Sequence, residues 1–549
     1  MSSPDPSATP EAATPAAAAP SGPVDPQIAV VTAGYTFGGL ALELGALVVD
    51  GVAHPEASVR IPLAMINRHG LVAGATGTGK TKTLQLMAEQ LSAAGVPVMA
   101  ADIKGDLSGL AQAGEASDRT TSRAKDVGQS WTGLASPVEL LALGGKGDGL
   151  MLRATITSFG PTLLSKVLGL NEVQESSLGL IFHFADSAGL PMLDLKDLRA
   201  VVQYLTSDEG KADLKDLGGL SSATAGVILR DLIAFQDQGA DEFFGEPEFD
   251  TADLMRVDAN GHGIVSLLEL PQLQDRPKLF STFLMWMLAD LFHDLPEVGD
   301  VDKPKLVFFF DEAHLLFDDA SKEFLTAIAQ TVRLIRSKGV GVFFVTQTPK
   351  DVPSDVLAQL GNRVQHALRA FTPDDAKALK ATASTFPNSG YDLEEVLTRL
   401  GIGEAIVTVL SDRGAPTPVA WTRLRAPQSK MAPADPAVLS AAISSSPLAA
   451  KYSQTIDRES AYEKLTKKLN AAPADGGVGA GGAPGTSPGT SGEQPNRAPA
   501  PAPKQHAGKP EKSTAEKVLE SSAFRSMARS AATVLGREIT RSIFGTRRR

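Results

Sequence analysis

The stretch that decides how this chain is read is GLVAGATGTGKTKTLQLMAEQL, residues 70–91. An apolar run leads into a knot of glycines, a Lys-Thr pair follows, and apolar residues then recur at helical spacing. Gly74 to Thr81 reads G-A-T-G-T-G-K-T and matches G-x-x-x-x-G-K-[ST]. A strand, a glycine-rich loop and a helix in that order make a phosphate cradle. The backbone of Gly74, Ala75, Thr76, Gly77, Thr78 and Gly79 can turn its N–H groups inward, and the helix start adds its dipole. Lys80 supplies a positive charge for the β- and γ-oxygens, and Thr81 offers a hydroxyl to Mg²⁺.

A cradle alone fits a kinase or a GTPase as well as an ATPase. The discriminating stretch is KLVFFFDEAH, residues 305–314, a buried strand ending in an acidic pair. Asp311 is expected to hold the Mg²⁺ shell and Glu312 to polarise the attacking water. Such a pair marks ATPases whose catalytic glutamate lies in the chain, so ATP and Mg²⁺ are the expected ligands. GVGVFFVTQTP, 339–349, is a second buried strand with a polar end. Parallel sheets place ligands at strand C-termini, so Gln347 is expected to orient water there. In ADIKGDL, 101–107, Asp102, Lys104 and Asp106 fit either a supporting rank behind the site or a simple turn. Arg333, Arg336, Arg363 and Arg369 are candidates for a charge donated to a neighbouring subunit's site, with Arg336 and Arg369 favoured.

The rest of the chain organises around these motifs. Of its 549 residues 43% are hydrophobic, enough for a large core. There are no cysteines, which excludes disulfides and thiolate metal sites. No H-E-x-x-H pair occurs, so a zinc-protease site is not expected. The start, MSSPDPSATPEAATPAAAAP, lacks the basic and apolar regions of a signal peptide, and no run approaches about 20 apolar residues. A soluble, cytoplasmic protein is the expectation. Residues 1–26 and the Gly/Pro/Ala-rich linker 471–513 have the composition of disorder. Residues 27–66 carry β-prone pieces and suggest a small strand module. Over 67–425 short apolar strands alternate with helical segments, the pattern of an α/β domain with a mostly parallel sheet. A mainly helical insertion is expected at about 115–256, and a helical extension at 426–470.

G-A-T-G-T-G-K-T, A-D-I-K-G-D-L, F-F-F-D-E-A-H-L-L-F, R-S-K-G-V-G-V-F-F-V-T-Q and G-N-R-V-Q-H-A-L-R-A-F occur in this order. Together they resemble the HerA/FtsK group of P-loop ATPases, and within it a bacterial HerA C-terminal-like family. The similarity covers roughly residues 60–465 and includes IDRESAYEKL at 456–465. It implies a RecA-like core and a homo-oligomeric ring, a hexamer, that couples ATP hydrolysis to DNA translocation. The segment before the phosphate loop is short for the N-terminal β-barrel of HerA itself. The DEAH string does not indicate a superfamily 2 helicase, because no Q-x-x-G-R-x-G-R element follows it.

The net charge is −11, yet residues 515–549 hold eight basic residues against Glu516, Glu520 and Glu538. Phe524, Met527, Ala531, Val534, Leu535, Ile539 and Ile543 form one apolar stripe of a basic amphipathic helix over 514–549. That helix suits docking on a protein core, a membrane surface or nucleic acid. Two classes of function therefore stand: an ATP-driven ring motor on DNA, and an ATPase that works on a protein or membrane partner or uses ATP as an assembly switch.

Overall fold

The computed structural model describes residues 25–471, apart from 145–146, 215–216, 271–275, 319 and 321. Among these residues twelve strands join one sheet. In chain order they are β1 (Ala41–Val49), β2 (Val52–Pro62), β3 (Gly70–Ala73), β4 (Val98–Asp102), β5 (Val138–Leu143) and β6 (Leu150–Leu152). Then come β7 (Val265–Glu269), β8 (Leu306–Phe310), β9 (Val340–Thr346), β10 (Asn362–His366), β11 (Glu404–Thr408) and β12 (Ala420–Leu424). Their order across the sheet is β2-β1-β12-β11-β10-β3-β9-β8-β4-β7-β5-β6. From β10 to β6 every pairing is parallel, and from β10 to β2 every pairing is antiparallel.

The parallel strands are buried on both faces, which is why β3, β4, β8 and β9 read as unbroken apolar runs. Side chains alternate between the faces. Phe308 and Phe310 enter the core that contains Phe344 and the helices of the insertion. Phe309 and Phe343 enter the opposite core, with Leu84, Met87 and Leu91 of the helix Lys80–Ala93. Their rings stand 5.4 Å apart. Phe309 is fully buried beneath that helix, so Phe309→Ala is expected to destabilise the fold by about 3–5 kcal/mol in urea titration. A loss below about 1 kcal/mol would show that the layer closes over the gap.

Three segments fold differently from their sequence pattern. Residues 27–34, β-prone by sequence, lie in the helix Pro26–Gly34. Asp25 Oδ1 caps it by accepting from Gln27 N at 2.7 Å, and Pro26 starts it, so local capping outweighs the β-branched residues. Residues 41–62 are not a separate module but the hairpin at the antiparallel edge. There β1 lies against β12 so closely that a Cβ on Gly45 would sit 2.0 Å from Arg423 O. Within 115–256, Val138–Leu143 and Leu150–Leu152 are sheet strands rather than helix. Glu139 and the leucines of β5 favour a helix locally. Burial between β7 and β6 and the Glu139–Arg256 ion pair at 2.6 Å override that preference.

The helical part of the insertion runs from Ile156 to Asp237 and packs on one face of the sheet. Side-chain caps from Thr155, Asn171, Asp194 and Ser221 start four of its helices. The extension after β12 holds the helices Pro436–Ser444, Ala449–Tyr452 and Ala461–Ala471. The last of these is pinned to the insertion, because Asp197 Oδ1 accepts from Tyr462 N at 2.9 Å. No helix among the described residues is long and apolar enough to cross a membrane. Residues 1–24, the linker from 472 to 513 and the basic helix expected at 514–549 lie outside the described residues.

Candidate functional site

The chain leaves β3 at Ala73 and turns through Gly74–Gly79 into the helix Lys80–Ala93. Gly74, Gly77 and Gly79 take φ of 155°, 79° and 115°, a backbone that curls the loop around its own interior. The base of the loop is tied to both flanking strands. Gly74 N donates to Thr346 O at the end of β9 (3.2 Å), and Ala75 N donates to Ala367 O just past β10 (2.8 Å). Thr78 Oγ1 closes the loop on Ala75 O at 2.7 Å. Thr76 and Gly77 stand exposed at its rim. Lys80 is buried, and its Nζ donates to Gly74 O at 2.7 Å and Ala75 O at 3.3 Å. Burial pushes the Lys80 ammonium below its ordinary pKa, with the nearby Glu312 charge opposing that shift.

Asp311 and Glu312 follow β8, which is separated from β3 by β9 alone. Asp311 is buried, and one of its oxygens accepts from Glu312 N at 2.9 Å. Its Oδ2 is buried without a hydrogen-bond partner, and burial raises its pKa to about 7. An orphaned buried carboxylate oxygen within electrostatic reach of Lys80 suits a divalent cation, and the partly buried Thr81 lies at the start of the loop's helix. Glu312 is a non-glycine residue at φ 47°, in the left-handed region. Its Oε1 pairs with Lys104 Nζ, and its Oε2 lies 3.3 Å from His314 Nδ1 without hydrogen-bond geometry. Burial alone would raise the Glu312 pKa, but the Lys104 hydrogen bond and charge outweigh it and hold the carboxyl below its ordinary value.

The segment 101–107 divides its labour. Asp102 shapes the turn, accepting from Gly105 N at 2.7 Å and Leu107 N at 2.8 Å. Lys104 reaches the acidic pair. Asp106 Oδ1 is buried without a partner.

The remaining candidates separate by position. Gln347 is exposed directly after Thr346, whose carbonyl holds Gly74, so it stands at the mouth of the loop. Arg369 is exposed three residues past β10, at the same end of the sheet. Arg336 is exposed at the opposite end, before β9 begins and within electrostatic reach of Arg68, which precedes β3. Arg363 lies within β10, its guanidinium partly buried, and Arg333 is exposed on the helix Lys322–Ile335.

His366 escaped the sequence reading. It is fully buried under the loop, its Nε2 lies 2.9 Å from Thr83 Oγ1, and burial lowers its pKa to about 4, so the ring is neutral. Its Cβ would stand 2.5 Å from a Cβ on Gly74. The end of a strand bearing a lone histidine was the sole sequence trace of it.

Residues 49–549 match the family described as Helicase HerA-like C-terminal. The chain belongs to that family. This HerA-like chain is 31% identical over 153 residues to "Probable helicase MJECL08" of Methanocaldococcus jannaschii, covering 26% of this chain and 28% of that protein. It is 32% identical over 108 residues to "Probable DNA double-strand break repair helicase HerA" of the same organism, covering 20% of each. The matches thus span 20% to 28% of these relatives' own length. Among solved structures, the plasmid coupling protein TrwB in complex with a non-hydrolysable GTP analogue aligns with TM-score 0.48 and 16% identity. That alignment covers 72% of this chain and 97% of TrwB. VirB4 of Thermoanaerobacter pseudethanolicus aligns with TM-score 0.42 and 15% identity, over 74% of this chain and 99% of VirB4.

Proposed function

We propose that this HerA-like protein binds ATP with Mg²⁺ in the Gly74–Thr81 loop and hydrolyses it, as a homo-oligomeric ring that moves or processes DNA. The observation that carries the chemistry is the placement of Lys80, after β3, within electrostatic reach of Glu312 and Asp311, after β8, and of Lys104, after β4. With the N–H groups of Gly74, Ala75 and Thr78 engaged in backbone bonds, those of Thr76, Gly77 and Gly79 and the helix start hold the phosphates, and Lys80 exchanges the carbonyls of Gly74 and Ala75 for phosphate oxygens. Thr81 and Asp311 Oδ2 would hold Mg²⁺, which supplies charge neutralisation to the β- and γ-phosphates. Glu312 takes the proton of the attacking water on Oε2, the oxygen without a hydrogen-bond partner, while Oε1 stays paired with Lys104. Gln347, exposed at the loop's mouth, orients that water.

Lys80→Ala is expected to weaken ATP binding about 10- to 100-fold, the loss of one charge-assisted contact set. Its thermal unfolding should match wild type. Calorimetric titration checks this, and undiminished ATP affinity would remove the loop from the nucleotide site.

DNA is the proposed track because the chain's family is helicase-like and a relative bears the name of a DNA break repair helicase. The test is ATPase activity with and without duplex DNA across a salt series. Contacts to backbone phosphates release counterions, so a DNA-stimulated rate should fall steeply with salt. A rate indifferent to DNA at low salt would favour a protein partner.

A further inference from the structure

The turn Gly401–Glu404, which leads into β11, stands against the phosphate loop. Gly403 N donates to Thr78 O at 3.0 Å, and a Cβ on Gly79 would touch Gly403 Cα and N at 3.4 Å. The turn is fastened from three sides. Buried Glu404 accepts from Gly401 N at 3.1 Å and from Trp421 Nε1 at 3.0 Å through one oxygen, and from Arg423 at 3.1 Å through the other. Arg123, from the helix Asp118–Asp126, donates to Ile402 O at 3.0 Å and Gly403 O at 3.2 Å. On this fixed backbone the side chain of Ile402 is held out to solvent, 76% exposed. An isolated exposed isoleucine is ordinary. One presented by a rigid turn in contact with a phosphate-type loop has a definite neighbour.

Strand order supplies the direction. Lys80 faces Asp311 and Glu312, which lie on the β9–β8 side of β3, whereas Ile402 precedes β11 on the β10–β11 side. A nucleoside triphosphate with its terminal phosphate beside Glu312 therefore runs its ribose and base away from β8, toward the turn. We infer that Ile402 is the shelf on which the nucleobase of the bound nucleotide packs, with Arg123 and Glu404 as positioning residues that fix the turn. This rests on the proposal that Gly74–Thr81 takes the phosphates. The pre-ordered backbone means that covering Ile402 costs little further ordering, so its apolar contact adds to affinity.

Inorganic tripolyphosphate separates base from phosphate. In calorimetric titrations of the full chain, Ile402→Ala weakens ATP about fivefold and leaves tripolyphosphate unchanged. Because Ile402 is exposed, the substitution leaves the fold intact, and thermal unfolding confirms it. Equal weakening of both ligands overturns the shelf, since the effect then lies in the loop. Unchanged ATP affinity also overturns it, and a weakened oligomer in sedimentation would then assign the turn to a second copy of the chain. Failure of the wild-type chain to bind tripolyphosphate, while ATP still binds, overturns the phosphate reading beneath it and the shelf together.

Discussion

Glu312→Gln is expected to bind ATP as tightly as wild type while turning it over about 10²–10⁴ times more slowly, the usual cost of losing a general base. The substitution is nearly isosteric. Glutamine keeps an oxygen that can accept from Lys104 Nζ, so the pairing partner seen in the structure is retained. It keeps the side-chain volume in a buried position and the same backbone at φ 47°. What it cannot do is take a proton. The left-handed backbone at φ 47° carries the side chain to Lys104 and His314, a strained conformation of the kind held where geometry serves function. Phosphate release in a single turnover, paired with calorimetric ATP binding, separates chemistry from affinity. Turnover within about threefold of wild type would leave Glu312 as a structural partner of Lys104 and no more.

That carboxylate was legible in the sequence because its evidence is local. G-A-T-G-T-G-K-T and F-F-F-D-E need only a few consecutive residues to declare their chemistry, and the parallel strands declare themselves by being apolar throughout. The residues that tune the site are legible only after folding. Lys104 fits support or turn alike in A-D-I-K-G-D-L, since nothing there shows that its tip meets Glu312 at the end of the neighbouring strand β8. His366 and Gly403 reach the loop through β10 and β11, contacts of long sequence separation with no repeating spacing to betray them. The same limit explains β5. Its Glu139 looks solvent-facing until Arg256 arrives from beyond the helical insertion to pair with it. At 27–34 the limit runs the other way: β-branched residues point to a strand, and a two-residue cap signal, Asp25 and Pro26, decides for a helix.

Arg336→Ala is expected to lower ATPase activity by about 10³–10⁵, the scale of arginine fingers in other phosphoryl-transfer enzymes, and to be rescued in trans. Position decides this. Arg336 lies at the start of β9 and the phosphate loop at its end, so the seven-residue strand puts about 20 Å between them. No rotamer of Arg336 spans that distance within one chain. If it acts on ATP at all, it acts on the site of a neighbouring subunit. Mixing Arg336→Ala with Lys80→Ala then restores turnover, because some interfaces combine an intact loop from one subunit with an intact arginine from the other. Arg369 makes the opposite forecast. It is exposed at the same end of the sheet as its own loop, two residues past Ala367, whose carbonyl holds Ala75; its expected action is within the subunit, and Arg369→Ala mixed with Lys80→Ala then stays inactive. Sedimentation with ATP accompanies both mixtures. Mixtures no more active than the sum of their parts, with a monomer persisting in ATP, would remove the ring from the proposed function and leave the nucleotide chemistry to each chain alone.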